Sequence, residues 1–156
     1  MDRRVVVTGM GAVTPLGCTV DTFWEGLKNG KCGIDLIQKF DTTDFKVKVG
    51  AEVKDFDPEL YMSKKDVKRN DPYAVYALAA AVQAFDDSGL DMEKEDAAKV
   101  GVIVGSGIGG LMTMQEQVIR LHEKGPSRVS PLFIPMTISN MAAGNIAIRL
   151  GAKGVC

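Results

Sequence analysis

VGVIVGSGIGGL, Val100 to Leu111, is the stretch on which the fold turns. Its β-branched run reads as a buried strand, its glycines as a tight turn, and the residues after Leu111 as a helix. Gly105, Gly107 and Gly110 fit G-x-G-x-x-G, the pattern of a dinucleotide-binding loop, with a strand before and a helix after. That pattern also requires an acidic residue at the end of a second strand about 20 residues on, to hold a ribose. The position falls instead on Gly125-Pro126 in a loop, preceded by a helix carrying Glu123. The first glycine loop, Thr8 to Val13, has G-x-G followed by Pro15, and its helix starts too late for a phosphate to rest on the helix N-terminus. The glycines are expected to permit positive backbone dihedrals and close approach of other chain or ligand. No cofactor is expected.

Working outward, Arg4 to Thr8 and Lys99 to Gly105 are predicted as buried strands, and the alternation from Phe45 to Val53 predicts a strand with one wet face. Thr19 or Asp21 can cap a short helix ended by Asn29-Gly30. Asp57-Pro58 and Asp71-Pro72 each place a capping carboxylate before a proline at the first helical position, so two helices are predicted to start there. The second runs to about Ser88 with Gly89 as its stop. From Tyr73 to Phe85 Gln83 is its one strongly polar side chain, which predicts a helix buried on all sides, between sheets or against a partner subunit. Leu111, Met114, Val118 and Leu121 form the apolar stripe of the next helix, GPSRVSPLFIP reads as a loop, Ile138 to Leu150 as a helix, and Gly151 to Cys156 as a turn leading into a strand. The order of elements makes the fold class α/β, and 156 residues without linker or repeat predict one domain.

Nineteen basic against twenty acidic side chains leave a net charge of −1, so the whole-chain field favours neither nucleic acid nor an anionic membrane. The start, MDRRVVVTG, is too short in apolar residues for a signal peptide, and no stretch reaches the roughly 20 apolar residues of a membrane span. A cytoplasmic chain is expected. Cys18, Cys32 and Cys156 are odd in number and widely spaced, and His122 is the single histidine, so neither a disulfide framework nor a metal site is expected.

RVVVTGMGAVTPLG (Arg4 to Gly17), GSGIGG (Gly105 to Gly110) and PLFIPMTISNM (Pro131 to Met141), in that order and spacing, resemble the N-terminal half of the β-ketoacyl-acyl-carrier-protein synthases, the elongating type II enzymes in particular. The resemblance spans essentially the whole chain. It implies a thiolase-like fold, the N-terminal half of a five-layered α-β-α-β-α architecture, in a homodimer. Residues 1–156 would be an N-terminal synthase domain, incomplete at its C-terminal end. The implied reaction is the decarboxylative condensation of malonyl-carrier protein with an acyl thioester held on a cysteine at a helix N-terminus, assisted by two histidines. The family's Thr-Ala-Cys motif follows a few residues after the turn matching Gly151 to Gly154, and the histidines come later. Cys156 matches the entry of that strand, not the nucleophile. No catalytic residue is therefore expected in this chain, and the chain alone is expected to be inactive.

The resemblance places Ile108 in the acyl-chain pocket and Phe133 with Ile134 in the loop closing the neighbouring subunit's pocket; all three also suit plain core positions. In SKKDVKR, Lys64, Lys65, Lys68 and Arg69 face one acid, Asp66, which suits a solvated helix face. The resemblance makes these cations, together with Arg128, a grip for acyl carrier protein. Two other classes remain beside the enzyme: a non-catalytic relative or fragment that docks carrier protein or a partner chain, like a chain-length factor, and a nicotinamide-dependent oxidoreductase resting on the glycines alone.

Overall fold

The computed structural model describes residues 3–156. Helix α1, Val20–Lys28, starts at Thr19, whose hydroxyl accepts the Thr22 N–H while the Thr22 hydroxyl accepts the Thr19 N–H, a reciprocal cap. A two-residue hairpin follows: β1, Asp35–Leu36, runs antiparallel to β2, Val49–Gly50, with Asp35 opposite Gly50 and Leu36 opposite Val49. The strand predicted from Phe45 to Val53 is thus confined to its middle. Phe45 donates its N–H into a turn on the Thr42 carbonyl, and its ring packs edge-on against Phe40 at 5.5 Å.

Asp57-Pro58 starts only a 3-10 turn, Pro58–Leu60, before helix α2, Lys64–Val67, capped by Ser63. Asp71-Pro72 starts the long helix α3, Pro72–Ser88, which stops at Gly89 with φ +67°, as the sequence predicts. Helix α6, Met141–Leu150, packs along α3. Ala74, Val75, Leu78 and Ala79 of α3 meet Ala142, Ala143 and Ile146 of α6 in the buried core, where mostly small side chains bring the two axes close. The first glycine loop lies on another face of α3. A Cβ on Gly9 would overlap the Ala84 carbonyl, and one on Gly11 the Ala80 carbonyl. Gln83 fastens that loop: its Oε1 accepts the Ala12 N–H at 3.2 Å, and its Nε2 donates to the Cys18 carbonyl at 2.8 Å and to the Tyr61 hydroxyl at 2.9 Å.

The two buried strands expected at Arg4 to Thr8 and Lys99 to Gly105 form no regular ladder among the described residues. Val5 is 94% exposed and Ile103 91%. A strand exists only where a neighbour completes its hydrogen bonds. The second segment has a partial one: Gly154 donates to the Val100 carbonyl at 2.9 Å and Val102 to the Val155 carbonyl at 2.8 Å, so the chain's last turn leads into extended backbone beside it.

In helix α4, Leu111–Lys124, the apolar stripe Leu111, Met114, Val118 and Leu121 is exposed, and Thr113 and Gln117 are buried. Polar contacts set this rotation, as described below. The segment read as a loop, Gly125 to Pro135, contains a 3-10 turn, Pro126–Arg128, and the start of a short helix α5, Phe133–Thr137. The helix predicted from Ile138 begins three residues later, because Ile138 is extended and its carbonyl accepts the Tyr73 hydroxyl at 2.5 Å.

Candidate functional site

The turn from Gly105 to Gly110 is built by contact with α5. The Gly110 N–H donates to the Thr137 carbonyl at 2.8 Å, and Gly109 has φ +82°. A Cβ on Gly109 would overlap the Thr137 carbonyl, and one on Gly110 the Met136 carbonyl. Gly105 and Gly107 have open space around their missing Cβ. Of the three glycines in the dinucleotide pattern, only Gly110 is therefore required by packing, and the other tight position, Gly109, lies outside the pattern.

The start of α4, where a bound phosphate would rest, is already occupied by a carboxylate of the chain itself. Asp71, 3% exposed, places Oδ2 at 2.8 Å from both the Thr113 N–H and the Thr113 hydroxyl, while Oδ1 accepts the Tyr73 N–H and caps α3. Asp71 is thus the residue that locks α4, and with it the glycine turn, onto α3. Its cap role is legible in the Asp-Pro pair; its partner 42 residues away has no sequence signal. One turn along α4, the buried Gln117 accepts the Ser130 N–H at 2.8 Å and holds the following loop. These two anchors explain why the polar face of α4 points inward.

The expected acyl-pocket residues sit on either side of this junction. Ile108, in the glycine turn, is 66% exposed; Phe133 is half-buried and Ile134 exposed on the first turn of α5. The Gly110–Thr137 hydrogen bond ties the two segments together.

The expected docking cations fall in two patches. Lys64 and Lys65 lie on α2, with Lys68 and Arg69 directly after it, all exposed; Lys64 Nζ is 3.7 Å from Glu59 Oε1. Arg128 stands apart in the 3-10 turn after α4, in a groove that also holds Arg120 and Lys124.

Among the cysteines, Cys18 donates its thiol to the Lys54 carbonyl at 3.5 Å, and burial, aided by the Asp55 charge, pushes its pKa up, the opposite of an activated nucleophile. Cys32 and Cys156 are exposed. Among the described residues no group of three His, Cys, Asp or Glu side chains is placed to hold a metal ion, and no helix is long and apolar enough to cross a membrane.

A family model described as the N-terminal domain of β-ketoacyl synthase matches residues 2–156. The chain belongs to the β-ketoacyl synthase family. This synthase chain is 51% identical over 152 residues to 3-oxoacyl-(acyl-carrier-protein) synthase 2 of Vibrio harveyi, covering 97% of this chain and 37% of that protein. To the protein of the same name from Synechocystis sp. it is 47% identical over 152 residues, covering 97% and 36%. It therefore spans a little over a third of the length of these curated relatives. Among solved structures it superposes on the ishigamide ketosynthase/chain length factor with a TM-score of 0.88 at 27% identity, covering 99% of this chain and 39% of that one. It also superposes, with a TM-score of 0.80 at 25% identity, on a type II PKS acyl-carrier protein in complex with its ketosynthase, covering 97% and 40%. The fold is the α/β, thiolase-like fold of this family, in its N-terminal part. Among the described residues the paired strands are β1 and β2.

Proposed function

We propose that this chain is the N-terminal part of an elongating β-ketoacyl-acyl-carrier-protein synthase, an acyltransferase that condenses malonyl-carrier protein with an acyl thioester in fatty acid synthesis. Residues 1–156 would be an incomplete synthase domain, with the family's nucleophilic cysteine and two histidines supplied from outside them and no cofactor involved. The observation that carries the reading is the seating of the glycine turn on α5, which joins two separate family-like blocks, GSGIGG and PLFIPMTISNM, through the Gly110–Thr137 hydrogen bond. Ile108, Phe133 and Ile134 then border the acyl chain, and Lys64, Lys65, Lys68, Arg69 and Arg128 draw in the acidic carrier protein. The exposed stripe on α4 supports a homodimer, and the cytoplasm is the proposed compartment.

The test is condensation by the intact protein, with acyl- and malonyl-carrier protein as substrates and the β-ketoacyl product read by mass spectrometry. Ile108→Phe is expected to shift the preferred acyl chain to shorter lengths while shorter chains keep their kcat/KM, because a ring in place of a sec-butyl group shortens the pocket. Unchanged chain-length selectivity would remove Ile108 from the pocket.

A second reading, a non-catalytic partner that docks carrier protein, is favoured by the superposition on a ketosynthase/chain length factor pair. Carrier-protein binding with no condensation by the intact protein would decide for it.

A further inference from the structure

We infer that Asp71 and Tyr73, at the start of α3, are positioning residues that fix the gap between the Ile108 turn and the Phe133 to Ile138 segment, and so set how sharply the protein distinguishes acyl chains of neighbouring length. The inference rests on the acyl-pocket reading above and extends it to two residues that do not border the pocket.

Two arms leave one end of α3. Asp71, 3% exposed, accepts the Thr113 N–H and the Thr113 hydroxyl on Oδ2, both at 2.8 Å, and a Cβ on Gly110 would stand 3.1 Å from the Asp71 Cβ. This arm holds the near limb of the glycine turn. Two residues on, the Tyr73 hydroxyl donates to the Ile138 carbonyl at 2.5 Å. Burial, opposed by the Ala142 N–H and aided by the Asp71 charge, pushes the Tyr73 pKa up, so the hydroxyl keeps the proton it donates. This arm holds the link between α5 and α6.

The held segments meet at Thr137. Its hydroxyl donates to the Phe133 carbonyl at 2.7 Å and its carbonyl accepts the Gly110 N–H at 2.8 Å, so the first turn of α5 and the glycine turn are fastened to one residue beside Ile138. On the far limb Gly105 and Gly107 have open space, and the Ser106 hydroxyl accepts only the Gly109 N–H of the turn itself, at 3.0 Å. Ile108 therefore takes its place from the near limb. The platform behind it is fixed: Asn70, next to Asp71, accepts from Asn145 of α6 at 2.6 Å and donates to the Asp66 carbonyl at 2.9 Å. A carboxamide could not replace Asp71. Oδ1 takes the Tyr73 N–H and Oδ2 the Thr113 donors, so an asparagine would turn its own N–H groups towards one of them.

An apolar pocket separates chains that differ by one methylene by about tenfold or more, and a site of that precision needs its groups held to within about 0.5 Å. The two arms supply that hold from outside the pocket. The experiment measures kcat/KM of the intact protein for a ladder of acyl-carrier proteins in competition, with the products resolved by mass spectrometry. Tyr73→Phe and Thr113→Val each remove one hydroxyl from an arm. Each is expected to lower the ratio of kcat/KM between the preferred chain and one two carbons longer by about tenfold, whereas Thr113→Ser keeps the parent ratio. Unfolded protein lowers the rate for every chain alike, so lost stability by itself leaves this ratio unmoved. Gln83→Met, which frees the Ala12 and Cys18 loop away from the turn, is expected to lower the melting temperature and keep the ratio. If Gln83→Met flattens selectivity as far as the arm variants do, the effect is general loosening and the inference is overturned. If Ile108→Phe shifts the preferred length while Tyr73→Phe and Thr113→Val keep the parent ratio, the arms have no positioning role and the pocket reading stands. If Ile108→Phe also leaves selectivity unchanged, the pocket and the inference fall together.

Discussion

At Asp71 a single carboxylate caps one helix and fixes the start of another, with its two oxygens divided between the tasks. Both Thr113 donors reach the same oxygen at 2.8 Å in a buried setting, where a lost partner is not replaced by water. Thr113→Val keeps the branched shape and the main-chain bond and removes the hydroxyl. Because the acceptor is a carboxylate, the substitution should destabilise the fold by about 1.5–3 kcal/mol, read from the urea midpoint. An unmoved midpoint would show that the main-chain N–H alone holds α4. On the surface, Asp35 shows the opposite regime. Its carboxylate accepts from Lys54 Nζ at 2.8 Å and from the Leu36 N–H at 2.8 Å, and these bonds, the Lys54 one first, hold its pKa below the ordinary carboxylate value. Since the folded-state pKa is the lower one, this contribution to stability is present above the ordinary carboxylate value and is lost as pH falls through the lowered one. In Lys54→Gln the Asp35 carbon resonance should titrate closer to the ordinary value; an identical midpoint would mean that the pair is open in solution.

At the scale of elements, the glycine turn separates two explanations of one motif. Gly105 and Gly107 meet nothing, while Gly110 faces the Met136 carbonyl. Gly105→Ala should therefore leave the thermal midpoint nearly unchanged, whereas Gly110→Ala must push α5 away and cost about 1–3 kcal/mol, seen as a clear drop in melting temperature. A dinucleotide loop would demand glycine at the first two positions as well, so Gly105 is the discriminating one. The sequence showed where α1, α3, α4 and α6 lie, because caps such as Thr19 and Asp71 and stops such as Gly89 act within a few residues of themselves. The apolar stripe of α4 is exposed in this chain, and Thr113 and Gln117 are buried. Apolar periodicity reports where burial is wanted, but the rotation is set by Thr113 on Asp71 and Gln117 on Ser130, contacts that have no local pattern. The strands at Arg4 to Thr8 and Lys99 to Gly105 were legible as β-branched runs, yet their ladders depend on neighbours, and only 154–155 stands beside the second. Of the proposed site, Ile108, Phe133, Ile134 and the α2 cations follow from family resemblance, whereas the groove that Arg120 and Lys124 share with Arg128 exists only through the turn after α4 and has no local sequence pattern.

For the whole molecule, surface area sets the terms. A compact monomer of 16.8 kDa is expected to expose about 7,600 Å², and this chain exposes 11251 Å². The excess is roughly one half of the expected value, and much of it is apolar: Val5, Val7, Ile103, Val118, Ile148 and Val155 are all exposed. Single exposed apolar side chains are ordinary, but contiguous patches above a few hundred Å² draw partners. In the proposed synthase, with curated relatives nearly three times this length, a C-terminal half and the proposed second subunit would cover these faces, with the Arg4 to Thr8 and Lys99 to Gly105 segments taking their places in sheets. The 156 residues on their own are therefore expected to self-associate. Sedimentation velocity across a dilution series should show mass rising with concentration, and a hydrophobic dye should bind strongly. A monodisperse 16.8 kDa monomer that leaves the dye dark would mean that the exposed faces close on each other in solution, and that the half-synthase architecture does not describe the isolated chain.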